Sequence, residues 1–301
     1  MSLITALPGA AAQGLIWGIM AIGVYITFRI LDIADLTVDG TLCTGGAVCI
    51  MMMLSGHNVW VSMLAATGAG LLAGLATGIF HTFMGIPAIL AGILTQLSLY
   101  SINLKIMGKA NQAINVDKFN LLVSLRRVKG VALTQNTLFI VAIMIIILIA
   151  VLYWFFGTEL GCSLRATGCN PSMSRAQGIN TDRNKVLGLM LSNGLVALSG
   201  ALLTQYQGFA DINMGRGSIV IGLAAVIIGE AIFSRIFRNF ALKLLSVVFG
   251  SILYYLVLQI VIWMGIDTDL LKMLSALVVA FFLAFPYWKG KYFTKAKQGG
   301  K

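Results

Sequence analysis

Apolar positions along this chain come in long unbroken runs, at 9–28, 59–80, 88–107, 138–156, 186–203, 218–233, 240–264 and 271–287, each closed by a polar break. At 1.5 Å of rise per helical residue, runs of roughly 17 to 25 residues match a hydrocarbon core about 30 Å thick. The pattern therefore predicts a single all-α domain over 1–301, a polytopic transmembrane helical bundle. Within it, Gly70, Gly74 and Gly78 recur every fourth residue on one helical face, a spacing that lets a second helix backbone approach closely. The run 88–107 opens after Pro87 and carries Thr95, Gln96, Ser98 and Asn103. Polar groups inside a span must face protein or water, so this helix either lines an interior path or bonds to its neighbours.

The stretch 29–54 breaks the pattern. Arg29 is followed closely by Asp32, Asp35 and Asp39, and then by the glycine-containing run TLCTGGAVCIMMML. Two readings stand: an inward loop, or a broken helix that dips to membrane depth, where irregular backbone survives only if protein or a water-filled cavity satisfies it. A faint echo joins it to a later segment. Ala34-Asp35-Leu36 is followed by Gly40, and Ala210-Asp211-Ile212 by Gly215, as an inverted repeat would require.

Two polar segments are long. The break at 161–185 holds Arg165, Arg175, Arg183 and Lys185 against a single Asp182, so it is expected on the cytoplasmic side. Inside it, residues 171–177 read as a short helix with Asn170 as cap, Pro171 at the first position and Gly178 as stop. Counting spans from there leaves the basic tail, about 288–301, inside and the N-terminus outside, with nine crossings, or ten if 29–54 holds a broken pair. The same count puts 108–135, with Lys109, Lys118, Arg126, Arg127 and Lys129, outside. That is against the charge rule, and docking of an acidic external partner is one reason; a solvated loop or contact with lipid headgroups is the other.

Composition then narrows the function. The chain is 59% hydrophobic and only 10% charged, far from the roughly 25% charged of a soluble domain. Its net charge of +11 resides in loops and tail, where topology and anionic lipid account for it without nucleic acid. Cys43, Cys49, Cys162 and Cys169 lack CxxC spacing, and His57 and His81 stand far apart, so no metal site is expected. The first run has no basic leader and reads as a retained span. No nucleotide-binding loop, nucleophile motif or paired intramembrane carboxylates occur. Glu230 is the one ionisable residue that stands out within a span; either Arg235 or Arg238 pairs with it, or it sits at a capped, partly hydrated helix terminus. Uphill transport by this chain would need a separate source of energy.

The segment RATGCNPSMSRAQGIN, followed by KVLGLMLSNGLVALSGALL, resembles the coupling loop and next helix of permease subunits of branched-chain amino-acid and ribose type ABC importers. The matching positions are Arg165, Ala166, Gly168, Asn170, Gly178, Ile179, Ser192, Ala197 and Gly200; Met173 and Ser174 replace small alanines. LDIADLTVDGTLCTGGA and GFADINMGRGSIVIGLAAVIIGEAIF are similar to two further motifs of the family, and their LTVDG and IGE variants look most like a branch served by aromatic-amino-acid-type binding lipoproteins. The resemblance implies a multi-pass protein of the bacterial plasma membrane that moves a small solute, most of all an amino acid, with nucleoside or sugar as the alternative cargo; a stand-alone channel is the alternative outside the family, and it would not need the capped short helix. The resemblance also implies a second permease copy, an external solute-binding lipoprotein, and a separate ATPase that binds the ATP and magnesium. By it, Arg165, Gly168, Asn170, Pro171, Arg175, Ala176, Gly178 and Ile179 would couple to the ATPase. Thr95, Gln96, Asn103 and Gln205 would line the path, Arg126 and Arg127 would dock the binding protein, and Asp35, Asp39 and Glu230 would serve structure or gating.

Overall fold

A computed structural model describes residues 3–115, 119, 121–128, 136–233, 237, 239–264, 270, 273, 276, 277, 279–281 and 284. In chain order the elements are α1 (Leu3–Tyr25), α2 (Val38–Leu54), α3 (Val59–Thr82), α4 (Ala88–Met107), β1 (Asn111–Ala113), α5 (Thr137–Gly157) and α6 (Glu159–Cys169). There follow α7 (Pro171–Ala176), α8 (Thr181–Gln207), β2 (Phe209–Asp211), α9 (Ser218–Phe233) and α10 (Phe240–Trp263). Among the described residues six helices are long and apolar enough to cross a membrane: α1 with its π-helical extension to Ile30, α3, α4, α5, α8 and α10. Two more, α2 and α9, are apolar but only 17 and 16 residues long. The predicted span 271–287 is described only at scattered helical positions, and the tail at 288–301, with Lys118, Lys129, Arg235 and Arg238, lies outside the described residues.

Helix α8 is the axis of the bundle. It runs antiparallel to α3, and Gly70, Gly74 and Gly78 do meet its backbone: a Cβ built on Gly74 would lie 2.7 Å from Met190 Cα, and one on Gly78 3.0 Å from Val186 Cα. Lipid is as apolar as leucine, so such contacts hold by close packing and by hydrogen bonds across helices. On its other flank α8 is tied to α1, where Ser192 Oγ donates to Gly23 O at 2.8 Å, Ser199 Oγ to Ile16 O at 2.8 Å, and Tyr206 Oη to Gly9 O at 3.1 Å. Ser251 of α10 bonds in the same way to Gly14 O at 2.5 Å. These side chains reach carbonyls whose own helical bonds leave a second lone pair free.

The helices define two ends. One carries the α5–α8 loop and the ends of α1, α3 and α9; the other carries a two-stranded ribbon, in which β1 pairs antiparallel with β2, Gln112 opposite Ala210. The loop end departs from the sequence reading in extent. The polar break at 161–185 is mostly helical, because Thr158 caps α6 through Gly161 N and Asn180 caps α8 through Arg183 N, so α8 begins five residues before its apolar run.

The stretch 29–54 resolves as a broken segment. After the π-turn, where Leu31 N donates to Ile26 O at 3.0 Å, residues 32–35 are non-helical, and the helix resumes only at Val38. Between Leu31 and Thr37, odd-numbered residues are buried and Asp32 and Ala34 are exposed. Asp32 takes φ 57°, a left-handed value that Asp tolerates better than most residues.

Candidate functional site

At the loop end, α7 forms as its sequence signals dictate. Asn170 Oδ1 accepts from Met173 N at 3.0 Å, Pro171 occupies the first helical position, and Gly178 stops the helix at φ +80°. Only Ser174 of α7 is buried; the other five residues and Gln177 are exposed. The helix is nevertheless fixed. Arg175 Nε donates to Thr181 Oγ1 at 2.8 Å and its guanidinium lies 3.6 Å from Asp182, which binds α7 to α8. Asn184 Nδ2 donates to Ser163 Oγ at 2.6 Å and Thr167 Oγ1 at 2.9 Å, binding α8 to α6. Arg165 donates to Phe156 O at 2.7 Å, anchoring α6 to α5, and Gly168 lets α6 close on the backbone at Ile30 and Leu31, where any Cβ would collide. Ile179 N returns to Ser174 O at 3.0 Å and closes the turn.

The contact at Leu31 leads directly into the broken segment. Asp35 is buried; its Oδ1 accepts from Thr37 N at 2.9 Å and its Oδ2 from Asn193 Nδ2 at 2.7 Å. Asn193 Oδ1 in turn accepts from Thr41 Oγ1 at 2.7 Å. Thr37, Thr77 and Thr95 form a chain of hydroxyls at 2.7 and 2.9 Å that joins α2, α3 and α4. Thr95 thus bonds across helices.

Four residues after Asp35, the Asp39 carboxylate meets the start of α9. It accepts from Gly217 N at 2.9 Å, Ser218 Oγ at 2.9 Å and Ile219 N at 3.0 Å. Free amides and the positive end of the helix dipole make that terminus a natural seat for a carboxylate. Both half-length helices therefore begin at one junction. Asp39 lies 15 residues from the ribbon end of α2, and Ser218 lies 15 from the loop end of α9. At 1.5 Å per residue the junction is roughly 22 Å from either end, near mid-depth.

Beside this junction opens a cavity of about 350 Å³ lined by Asp39, Gly40, Cys43, Gln96, Leu97, Tyr100, Asn103, Ile212 and Arg216. Gln96 and Asn103, two of the expected path residues, meet here. Asn103 is buried and donates to Gly40 O at 3.4 Å, while its Oδ1 has no hydrogen-bond partner among the described residues. Arg216 is exposed, with its guanidinium carbon 6.0 Å from the centroid of the Tyr100 ring. An arginine turned toward lipid at this depth costs at least about 2.5–3.5 kcal/mol, so this face must border water or protein.

The remaining expected residues lie apart. Gln205 is buried near the ribbon end, where Oε1 accepts from Leu122 N at 3.3 Å and Nε2 approaches Cys49 Sγ at 3.7 Å. Arg126 and Arg127 fall in the turn Leu125–Val128; Arg127 donates to Leu121 O at 2.8 Å, and the side chain of Arg126 is outside the described set. Glu230 pairs with Arg29; its expected partners Arg235 and Arg238 lie outside the described residues. Arg29 Nε lies 2.9 and 3.0 Å from its two oxygens and the second guanidinium nitrogen also contacts it, because α9 runs beside the π-turn of α1. Sequence reasoning missed Arg216, Tyr100 and Asn193. An arginine two residues before the apolar run 218–233 looks like a loop charge at the end of a span until the turn is seen to descend to mid-depth; Asn193, inside the run 186–203, carried the same signal as Asn103.

A bundle of long apolar helices, with a fixed, exposed short helix at one end and a polar cavity beside the junction of two shorter helices, is the architecture of a membrane protein. Residues 7–283 match the family model for the branched-chain amino acid transport system, permease component. The chain belongs to this family of ABC importer permeases and is a multi-pass protein of the bacterial inner membrane. It is 39% identical over 272 residues to a tyrosine transport system permease protein of Clostridioides difficile (strain R20291), covering 90% of this chain and 88% of that one. An uncharacterized protein of Rickettsia prowazekii (strain Madrid E) is 38% identical, covering 92% and 95%. The fructose import permease protein FruF of Bifidobacterium longum (strain NCC 2705) is more distant, 25% identical over 81% of this chain and 67% of its own length. No solved structure matches significantly.

Proposed function

We propose that this chain carries an amino acid of the tyrosine kind into the cell, as one of two permease copies driven by a separate ATPase and fed by an external solute-binding protein. The cargo is read from the tyrosine permease relative, which aligns over nearly the whole of both chains. The loop end is then cytoplasmic and the ribbon end external, with nine crossings counting the last apolar run. The two halves are an inverted pair: α2 and α9 both start at mid-depth. Each follows an Asp whose Oδ1 accepts from the backbone N two residues on, Asp35 from Thr37 at 2.9 Å and Asp211 from Asn213 at 2.7 Å.

The observation that carries the drive mechanism is an exposed α7 held at both flanks. A helix so bound moves only together with α6 and α8. ATP and magnesium stay on the ATPase, whose closure would push α7. Through Gly168 the push reaches Leu31, then the Asp35 network, then Asp39 and the start of α9, so a rigid displacement at the loop end is felt beside the mid-depth cavity. Substituting Asn170→Leu removes the cap, worth about 1 kcal/mol, and Gly178→Val forces a β-branched residue to positive φ. In proteoliposomes holding the complete complex, both variants are expected to lose solute-stimulated ATP hydrolysis while the binding protein still binds solute. Unchanged stimulation refutes the coupling role of α7.

A further inference from the structure

The mid-depth cavity contains more chemistry than a neutral passage needs. Arg216 sits between two residues that are themselves fixed: Gly215 is pressed against the Asp39 carbonyl with no room for a Cβ, and Gly217 N is bound by the Asp39 carboxylate at 2.9 Å. The backbone that presents the guanidinium is therefore held from both sides. Among the described residues no carboxylate pairs with it, since both oxygens of Asp39 are occupied at the start of α9. The same cavity is lined by Asn103, whose buried Oδ1 has no hydrogen-bond partner among the described residues and can only accept, and by the exposed Tyr100. A fixed cation, a free acceptor and an aromatic face around one space are complementary to a carboxylate, an ammonium and a planar side chain on one small molecule. The volume, about 350 Å³, is near the lower end of the roughly 300–1,000 Å³ usual for ligand pockets.

Resting on the importer reading above, we infer that this cavity is the solute's holding point in the membrane, with Arg216 binding the α-carboxylate, Asn103 Oδ1 the α-ammonium and Tyr100 the aromatic side chain. The cavity thus adds a check for zwitterions after the binding protein has released its load. Because among the described residues the guanidinium meets only the Tyr100 ring and no carboxylate, its removal is expected to alter carriage and leave the Asp39 junction intact.

The test measures labelled tyrosine uptake in proteoliposomes holding the permease, its ATPase and the solute-loaded binding protein, with ATP hydrolysis followed in parallel. Loss of a charge-assisted bond predicts that Arg216→Gln lowers uptake about tenfold or more. Arg216→Lys, which keeps the charge, should recover part of the uptake. Asn103→Leu, which keeps the cavity closed to lipid, should raise the apparent KM for tyrosine. Uptake unchanged by Arg216→Gln, or falling equally in both Arg216 variants, overturns the assignment. Should the wild-type complex move fructose but neither tyrosine nor phenylalanine, the amino-acid reading itself fails, an outcome visible before any variant is made.

Discussion

Removing the Asp39 carboxylate tests whether the two half-length helices are held by one side chain. The substitution Asp39→Ala leaves Gly217 N, Ser218 Oγ and Ile219 N without their acceptor at a half-buried position about 22 Å from the ribbon end of α2. Hydrogen bonds between membrane helices average about 0.6 kcal/mol, so three of them give about 2 kcal/mol at the low end. The charge at the start of a helix adds roughly 0.3–1 kcal/mol, and a buried donor left unmade pushes the total toward about 4 kcal/mol. Asp39→Asn keeps one carbonyl acceptor and should lose about half as much. Because the native state of a domain is worth only about 5–15 kcal/mol, such a loss is easily seen. Unfolding in mixed micelles by sodium dodecyl sulfate, followed through the fluorescence of the chain's five tryptophans, measures it. Asp32→Ala, at an exposed residue of the same broken segment, is the control and should leave the midpoint unmoved. If Asp39→Ala and Asp32→Ala unfold together, the junction is not held in this way.

Two further outcomes follow from packing and topology. Gly74→Val should abolish accumulation of folded protein because its Cβ would lie 2.7 Å from Met190 Cα, whereas Gly68→Val on the same helix, with open space at its Cβ, should accumulate normally; equal yields on size-exclusion chromatography would contradict the α3–α8 contact. A membrane-impermeant maleimide should label the exposed Cys162 and Cys169 in inverted vesicles and not in intact cells, leave the buried Cys43 and Cys49 unlabelled, and be blocked at Cys169 by the ATPase. Labelling from outside would reverse the orientation and with it the coupling mechanism.

Much of the bundle was legible because lipid imposes a simple rule. A span must satisfy its own backbone and present apolar side chains, so 88–107 and 218–233 were read to the residue, and 138–156 and 240–264 to within a residue at each end. The α7 helix was equally readable, since a cap, a first-position proline and a terminal glycine are local signals that act within one turn. The extent of α6 and the early start of α8 were not, because their polar faces are satisfied by one another through Asn184, a partner that periodicity does not reveal.

The sequence by itself determined the class, the number of long apolar runs, the glycine face of α3 and the short capped helix, all of which rest on neighbours within a few residues. Only the tertiary structure decided between a loop and a broken segment at 29–54, gave Glu230 its partner Arg29, brought Asp39 to the start of α9, and put Arg216 and Asn103 on one cavity. Those contacts join residues far apart in the chain. Their free energy depends on which helices lie side by side, and that is set by the summed packing of the bundle, not by any local pattern.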